Sequence, residues 1–476
     1  MSVLEWFILV PLAAVVLLNL PGAEFLRRRG AVVAALLGAV QAAVVAATPA
    51  AVLSRAGFID NVLHLNLRLT NLSLVMLLAI GLALAAAAMV VQPMLADARR
   101  RSNYVSVLLV AMIGMNGMVL VTDLFSLYVF LEVTSIASFI LIAFSRQKHA
   151  LEGAFKYIIL SATATVFMLS AVALLLMMTG AVDFDSVATA LKTSGKMLPA
   201  RIALGAFLCG LFIKGGLVPF HGWVLGAYSA APAPTSVLLA GVVTKVSGIY
   251  ALLRLTISVF PPSLPLNQVL MLVGAVSIVV GALAALGQTD MKRLLAYSSI
   301  SQVGYIVLGL GCGTDLAIAG AIFHVFNHAV FKSLLFVNAA AVEQRLGTTD
   351  MTRLGGLGGR MPLTSTTSVV GILSTAGIPP LAGFWSKLLI IVALWQAGFY
   401  FYAGLAVLFS VVTLAYLLVW QRRVFFGQTL PSLAGVREAT AWLSVPEIIL
   451  AGLTIAVGLA FPFLANTFLL RLHGGY

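Results

Sequence analysis

The chain has 476 residues, 61% of them hydrophobic and 9% charged, and its mean hydropathy is +1.09. A soluble domain carries roughly 25% charged residues, so lipid must be the solvent for most of this chain. The net charge of +13 reads as membrane topology and not as a nucleic-acid footprint, because the basic residues cluster between apolar segments.

About 20 apolar residues make a membrane-spanning helix. Fourteen such segments follow one another: 4–20, 31–54, 72–92, 104–122, 124–145, 152–180, 201–223, 233–258, 266–287, 293–311, 315–343, 363–396, 400–421 and 445–470. The twelfth is long enough to need an internal break. With fourteen spans the connecting loops alternate between two sides. One side holds Arg27, Arg28, Arg29, Arg99, Arg100, Arg101, Arg146, Lys148, Lys292, Arg293, Arg345, Arg353, Arg360, Arg422, Arg423 and Arg437. The other holds Arg55, Arg68, Lys192, Lys196 and Arg471. The positive-inside rule makes the first side cytoplasmic and puts both termini on the extracytoplasmic side of a bacterial or archaeal cell membrane. The first segment has no basic leader region or cleavage site and is expected to remain as a helix. The expected fold class is all-α, a polytopic membrane protein of about fourteen transmembrane helices. Cys209 and Cys312 lie apart in apolar segments, which predicts two buried thiols with no disulfide or thiolate cluster.

Two segments are interrupted. The seventh reads IKGGLVPFHGW, with Pro219 after Gly215 and Gly216. The twelfth reads AGIPPLAGFWSKLLI, with Pro379 and Pro380 between Gly377 and Gly383. Proline removes a backbone donor and clashes with the preceding turn, and in lipid the freed carbonyls need other partners. Lys214 precedes the first break and Lys387 follows the second. Broken helices at matching places in two halves are the sequence sign of a transporter with internal repeats, and the reversed order of lysine and proline fits an inverted relation. The expected organisation is a three-helix segment 1–103, a first repeat 104–258, a second repeat 266–423 and a C-terminal helix within 424–476. The glycine-rich stretch 344–362 matches no phosphate-binding loop and reads as a connector.

Few charges remain within the spans. Lys156, Arg201 and Arg254 lie near segment ends, where long side chains snorkel. Lys214, Lys245, Lys332 and Lys387 lie deep in apolar sequence, and Glu132 is the one carboxylate well inside a span, with Asp123 near its start. A central charge costs about 2.5–3.5 kcal/mol on insertion scales, so these groups are expected to face a polar interior. For Glu132 the plain alternative is a helix-locking ion pair, and Lys214 is the partner expected. For Lys245 and Lys387 it is snorkelling. His324, His328 and Lys332 recur every fourth residue, which stacks them on one helix face about 6 Å apart. Two histidines so spaced also suit a metal, but no third ligand is in evidence. Histidine titrates near neutrality, and the trio reads as a proton relay. His221, at the first break, either caps freed backbone or serves proton access.

These stretches resemble a known family: the antiporter-like membrane subunits of respiratory complex I (N, M and L types), of Mrp-type sodium/proton antiporters (the D type) and of membrane-bound hydrogenases. The resemblance rests on DLFSLYVFLE, FIKGGLVPFHGWVLGAYSAAPAPTSVLLAGVVTKVSGIYALLR, DMKRLLAYSSISQVGYIVLGLG, FHVFNHAVFKSLLF, LGGLGGRMPLT and AGIPPLAGFWSKLLI. It implies two inverted five-helix repeats, each with a broken helix. It also implies ion-path roles for Glu132, Lys214, Lys245 and Lys387, with the histidines and Lys332 in the connecting region. The chain departs from the family at Leu225 and Tyr228, where a proline and a histidine are common. Lys387 resembles the N-type, L-type and Mrp D-type pattern, the M type tending to carry glutamate there.

The function expected is translocation of protons, with Na⁺ as the second candidate ion, by a subunit of a hetero-oligomeric membrane complex. The chain itself is expected to bind no cofactor, no metal and no nucleic acid, and to have the bilayer and other membrane subunits as partners. A stand-alone solute transporter would want a polar and aromatic cluster at the breaks. A structural subunit would not need five charges at the midplane.

Overall fold

The computed structural model describes residues 3–47, 66–193, 197–260 and 263–473. The membrane helices run α1 (Val3–Asn19), α2 (Gly30–Ala47), α3 (Asn71–Met94), α4 (Ala98–Leu120), α5 (Leu124–Ala143) and α6 (Lys148–Thr179). The seventh is split into α7a (Met197–Gly215) and α7b (Gly222–Ala230). There follow α8 (Ala233–Ser258), α9 (Leu264–Leu286), α10 (Met291–Cys312) and α11 (Asp315–Leu346). Last come α12a (Pro362–Ala376), α12b (Ala382–Gln396), α13 (Tyr400–Val424) and α14 (Ala441–His473). Among the described residues, twelve helices are long and apolar enough to cross a membrane, with Leu4–Asn19 and Ala382–Gln396 as shorter apolar helices. The protein is an all-α polytopic membrane protein, and each expected span meets a helix. The seventh segment, expected to end near residue 223, continues past its break to Ala230. The end of the second expected span (48–54), and Arg55 and Lys196 from the charge comparison, lie outside the described residues, as does the side chain of Arg471.

Helix is the only spanning structure that satisfies its own backbone in lipid without closing a barrel. The ends are fixed by short polar side chains. Asp97, Asp123, Asp290 and Thr314 accept from the amides of Arg100, Ser126, Arg293 and Ala317, which satisfies donors the first turn leaves free. Asp123 therefore serves as a helix cap, on the α5 end about 13 Å along the axis from Glu132.

Two isolated antiparallel bridges reveal the repeat. Asp123 pairs with Asp183, and sixty residues likewise separate Asp290 from its partner Asp350. The hydrogen bonds match: Leu124 N to Val182 O and Phe184 N to Thr122 O in the first, Met291 N to Thr349 O and Met351 N to Thr289 O in the second. The helix that follows has 32 residues in each case, Lys148–Thr179 and Asp315–Leu346, and starts at the same distance from its aspartate. Five crossings separate α5 from α10, so the two bridges lie on opposite faces of the membrane domain. Helices α4–α8 and α9–α13 are thus two inverted five-helix repeats, each with one broken helix.

The halves meet along α8 and α11, every residue of whose apolar windows is buried. A β-carbon on Gly241 of α8 would collide with Ser333 of α11, and one on Gly248 would collide with the backbone of Gly215 in α7a. Glycine at these two positions is what lets the three helices touch. Within α8, Leu239–Val243 and Lys245–Tyr250 form π-turns, the wider i→i+5 geometry seen at functional sites. Apolar periodicity did not announce them. The glycine-rich stretch is a connector, tied by Gly356 N and Gly358 N to Phe426 O and Phe425 O beyond α13.

Candidate functional site

At the first break, α7a stops at the left-handed Gly216 (φ 66°). Trp223 Nε1 donates to the carbonyl of Ile213 at 2.8 Å, which also accepts from Gly216 N at 3.1 Å, and Ser277 Oγ of α9 accepts from Val218 N at 3.1 Å. His221 occupies the N-cap of α7b without a side-chain cap bond. Its ring meets the Pro219 main chain, while Nδ1 is buried and has no partner among the described residues. At the second break, Lys387 itself satisfies a carbonyl, donating to Thr375 O at 2.8 Å.

Lys214, on the last turn of α7a, is 2% exposed at its side chain, against 27% for Glu132 on α5. Its Nζ lies 3.3 Å from Glu132 Oε1 and donates more closely to Ser135 Oγ (2.7 Å) and Ser161 Oγ (2.6 Å). Thr165 of α6 donates to the same Glu132 oxygen at 2.5 Å. The expected pair is present, and three hydroxyls share it. Tyr157 lies among the same serines.

Lys245 is wholly buried and has no carboxylate partner among the described residues. Its Nζ donates to the Ala240 carbonyl inside the first π-turn and lies 3.4 Å from Thr244 Oγ1. Thr244 in turn hydrogen-bonds Tyr228 OH at 2.9 Å. Across the α8–α11 contact, Lys332 donates to Ser298 Oγ (2.7 Å) and Leu295 O (3.2 Å) of α10, and Tyr416 OH donates to the same serine. The His324 and His328 rings stack with centroids 6.3 Å apart. His324 Nδ1 shares a 2.8 Å hydrogen bond with Ser386 of α12b, and both nitrogens of His328 lack partners among the described residues. Lys387 ends the series, with its Nζ 3.3 Å from Ser410 Oγ and over the Tyr305 ring at 4.4 Å.

The ionisable residues fall into two groups. Glu132 and Lys214 touch directly. Lys245, Lys332, His324 and Lys387 all lie close enough to the His328 ring for their charges to act on it. The Gly215–Gly248 crossing joins the groups, because Lys214 and Lys245 flank it on adjacent helices. Several polar residues of the site carried no sequence signal, since Ser135, Ser161, Thr165, Thr244, Ser298 and Ser386 are ordinary hydroxyls in apolar helices. Three sequence-based expectations change. Arg254 is 5% exposed, covered at its helix end by the Phe184 ring at 5.3 Å and not left open to the headgroup layer. Lys292, counted as a loop charge, is buried and paired with Glu343 at 2.6 Å. Glu132 is not the one carboxylate that the helices enclose: Glu5 and Glu447, near the starts of their expected spans, are fully buried.

A membrane domain of two inverted repeats, with a broken helix in each and a line of buried lysines and histidines between them, defines an antiporter-like membrane subunit. The family described as NADH:quinone oxidoreductase/Mrp antiporter, TM, matches residues 121–413, and the chain belongs to it. It is 38% identical over 321 residues to the N-type subunit of the NADH-quinone oxidoreductase of Desulforudis audaxviator, covering 67% of this chain and 64% of that one. It is 35% identical over 349 residues to the D-type subunit of the Na(+)/H(+) antiporter of Alkalihalophilus pseudofirmus, covering 73% and 70%. The match to the first relative thus spans less than two thirds of its length. A chain in the structure of the Mrp complex from Dietzia sp. DQ12-45-1b superposes with a TM-score of 0.89 at 26% identity, covering 98% of this chain and 96% of that one.

Proposed function

We propose that this chain translocates protons as one subunit of a hetero-oligomeric complex in the cytoplasmic membrane. The observation that carries the reading is the row itself. Four buried lysines and two buried histidines run from α7a to α12b, and the one carboxylate paired within this row, Glu132, meets Lys214. Unpaired buried charge is costly, so the members of such a row cannot all be charged together. A proton gained at one position disfavours a proton at the next, and charge moves by hopping.

Glu132 sets the switch. With the pair closed, Lys214 keeps its proton, because a nearby carboxylate favours the charged form. With the pair open, burial favours release, and the serines beside Nζ are the first acceptors in line. Waters would bridge the rest, since buried polar atoms such as the His328 nitrogens are ordinarily satisfied by solvent when protein offers nothing. Nitrogen cations and hydroxyls dominate the row, whereas a hard cation such as Na⁺ wants a shell of oxygens, so the chemistry favours H⁺. In this reading Glu132, Lys214, Lys245, His324, His328, Lys332 and Lys387 carry the proton, and His221 lies on the access route at the break. The chain binds no cofactor and no metal, and the driving reaction belongs to partner subunits. The excess of lysine and arginine on one side supports placing both termini outside the cell.

The test is proton uptake by the whole complex in sealed vesicles carrying a pH-sensitive dye. Lys214→Ala and Glu132→Gln are each expected to slow transport by at least about a hundredfold, the lower end of what a positioned acid or base contributes. Transport at the unmodified rate in both variants would refute the reading.

A further inference from the structure

Glu447 is a carboxyl that the row does not use. It lies in α14, on the side of the lysine- and arginine-rich loops, and is 0% exposed. Among the described residues no lysine or arginine pairs with it. Its neighbours are neutral or acidic. Asn338 Nδ2 of α11 donates to Oε1 at 2.9 Å. Thr364 Oγ1 of α12a lies 3.2 Å from Oε2 and 2.7 Å from Oε1 of a second carboxyl, Glu438, in the loop before α14. Glu438 is only partly buried and also accepts from Leu363 N at 2.8 Å.

The hydrogens at this junction do not suffice for two carboxylates. Thr364 has one hydroxyl hydrogen and two carboxyl oxygens in reach, and the shorter contact takes it. A second hydrogen is needed on the Glu447–Thr364 contact, and only Glu447 can carry it. Asn338 points the same way. It is 0% exposed, and the Oδ1 of the amide that touches Glu447 has no donor among the described residues. A buried acceptor without a donor, next to a carboxyl without a cation, is the environment in which the acid form is favoured.

Among the described residues, no cation from the other elements packed on α14 pairs with either carboxyl. From α11, Arg345 gives its Nε to the main-chain oxygen of Glu438 at 2.9 Å. Helix α3 has no ionisable residue, and Lys387, the one lysine of α12b, is bound at Thr375 and Ser410.

We infer that Glu447, Thr364 and Glu438 form a proton-exchange site, apart from the row, that joins the buried interior to the arginine-rich face. Glu447 passes its proton to Thr364 Oγ, and the threonine passes its own hydroxyl proton to Glu438 Oε1. One proton moves outward, the threonine is unchanged, and reversal loads Glu447. Asn338 ties the site to the row, because it lies six residues beyond Lys332 on α11, about 9 Å along the axis. The inference rests on the proton-translocation reading above.

The test uses the assembled complex in dye-loaded vesicles together with infrared difference spectra across a pH step. Glu447→Gln is expected to lower transport at least about tenfold and to remove one protonated-carboxyl band. Thr364→Val should lower transport to the same degree, and Thr364→Ser should restore it. Unchanged transport in Glu447→Gln, with or without loss of the band, overturns the site, as does unchanged transport in Thr364→Val. Lys214→Ala, run in parallel, separates the two ideas. Lost transport there beside normal transport in Glu447→Gln defeats this site alone, whereas normal transport in both Lys214→Ala and Glu132→Gln defeats the row.

Discussion

The two five-helix halves share a frame and differ in charge. In the register set by their paired aspartates, Glu132 of α5 stands where α10 has Ser299. Tyr157, Ser161 and Thr165 of α6 stand where α11 has His324, His328 and Lys332. Aligned on their prolines, Lys214 falls opposite Thr375, and Lys387 falls opposite Gly226. The first half therefore holds an acid and a base in contact, with hydroxyls around them. Within the row, the second holds bases alone, resting on hydroxyls and carbonyls as Lys245 of the first half also does; its Lys292–Glu343 pair lies at the ends of α10 and α11. One fold supports both because the hydroxyl and carbonyl partners come from the helix frame, while the charge is a matter of which few side chains are long. An ion pair can open and close; a base held by neutral groups can only gain or lose its proton. The first half is suited to gating and the second to passage.

Making the halves alike should abolish the distinction. Ser299→Glu puts a carboxylate where Glu132 stands in the other repeat, one residue from the Lys332 partner Ser298. Lys332 should then stay charged, and vesicle proton uptake should fall at least about tenfold, a change of roughly 1.4 kcal/mol in barrier. Uptake at the normal rate would mean that the absence of an acid beside Lys332 is immaterial. A smaller effect concerns the joint between the pair and the remaining bases. Gly248→Ala drives a β-carbon into the Gly215 backbone. Overpacking of this kind costs about 1–3 kcal/mol, and the thermal unfolding midpoint of the purified complex should fall accordingly. The smallest effect compares the two aspartate clasps. The Ser186 amide, donating to Asp183, holds that carboxyl below its usual range, and the Thr352 hydroxyl and amide do the same for Asp350. A lowered carboxyl pKa gives stability that is fully present above the unfolded value, about 3.9, and lost as pH falls through the folded one. Hydrogen-exchange protection of the Ser186 and Thr352 amides should therefore survive, at both faces, from neutral pH to below the ordinary aspartate range. Loss of both near pH 5 would contradict this.

What the sequence made legible follows from strong signals. Long apolar runs placed the helices because lipid leaves the backbone no alternative, and Gly-Gly and Pro-Pro marked the breaks because those residues disrupt any helix. Lys214, Lys245, Lys332 and Lys387 stood out because charge in an apolar run is costly. The π-turns of α8 went unread, since a residue added to a turn leaves composition unchanged. Glu447 escaped because it sits only three residues inside its span, where sequence alone cannot tell an interfacial acid from one that neighbouring helices have covered. Its hydrogen-bond partners are Asn338 of α11 and Thr364 of α12a, and those contacts are tertiary. The register of the repeat was likewise hidden, since Thr-Asp pairs are common and only their bridges show which belong together.

The clasps at Asp123–Asp183 and Asp290–Asp350 also divide the molecule mechanically. Each ties the start of one helix to the chain leaving the next, so that a helical hairpin is fastened at its open end by two backbone hydrogen bonds. A fastened hairpin resists sliding along its own length. Any rearrangement that opens the Glu132–Lys214 pair must then be taken up where nothing is fastened, at the interrupted turns of α7 and α12 and the wide turns of α8. The rims of the domain act as a rigid chassis, and compliance is concentrated in a belt at mid-depth.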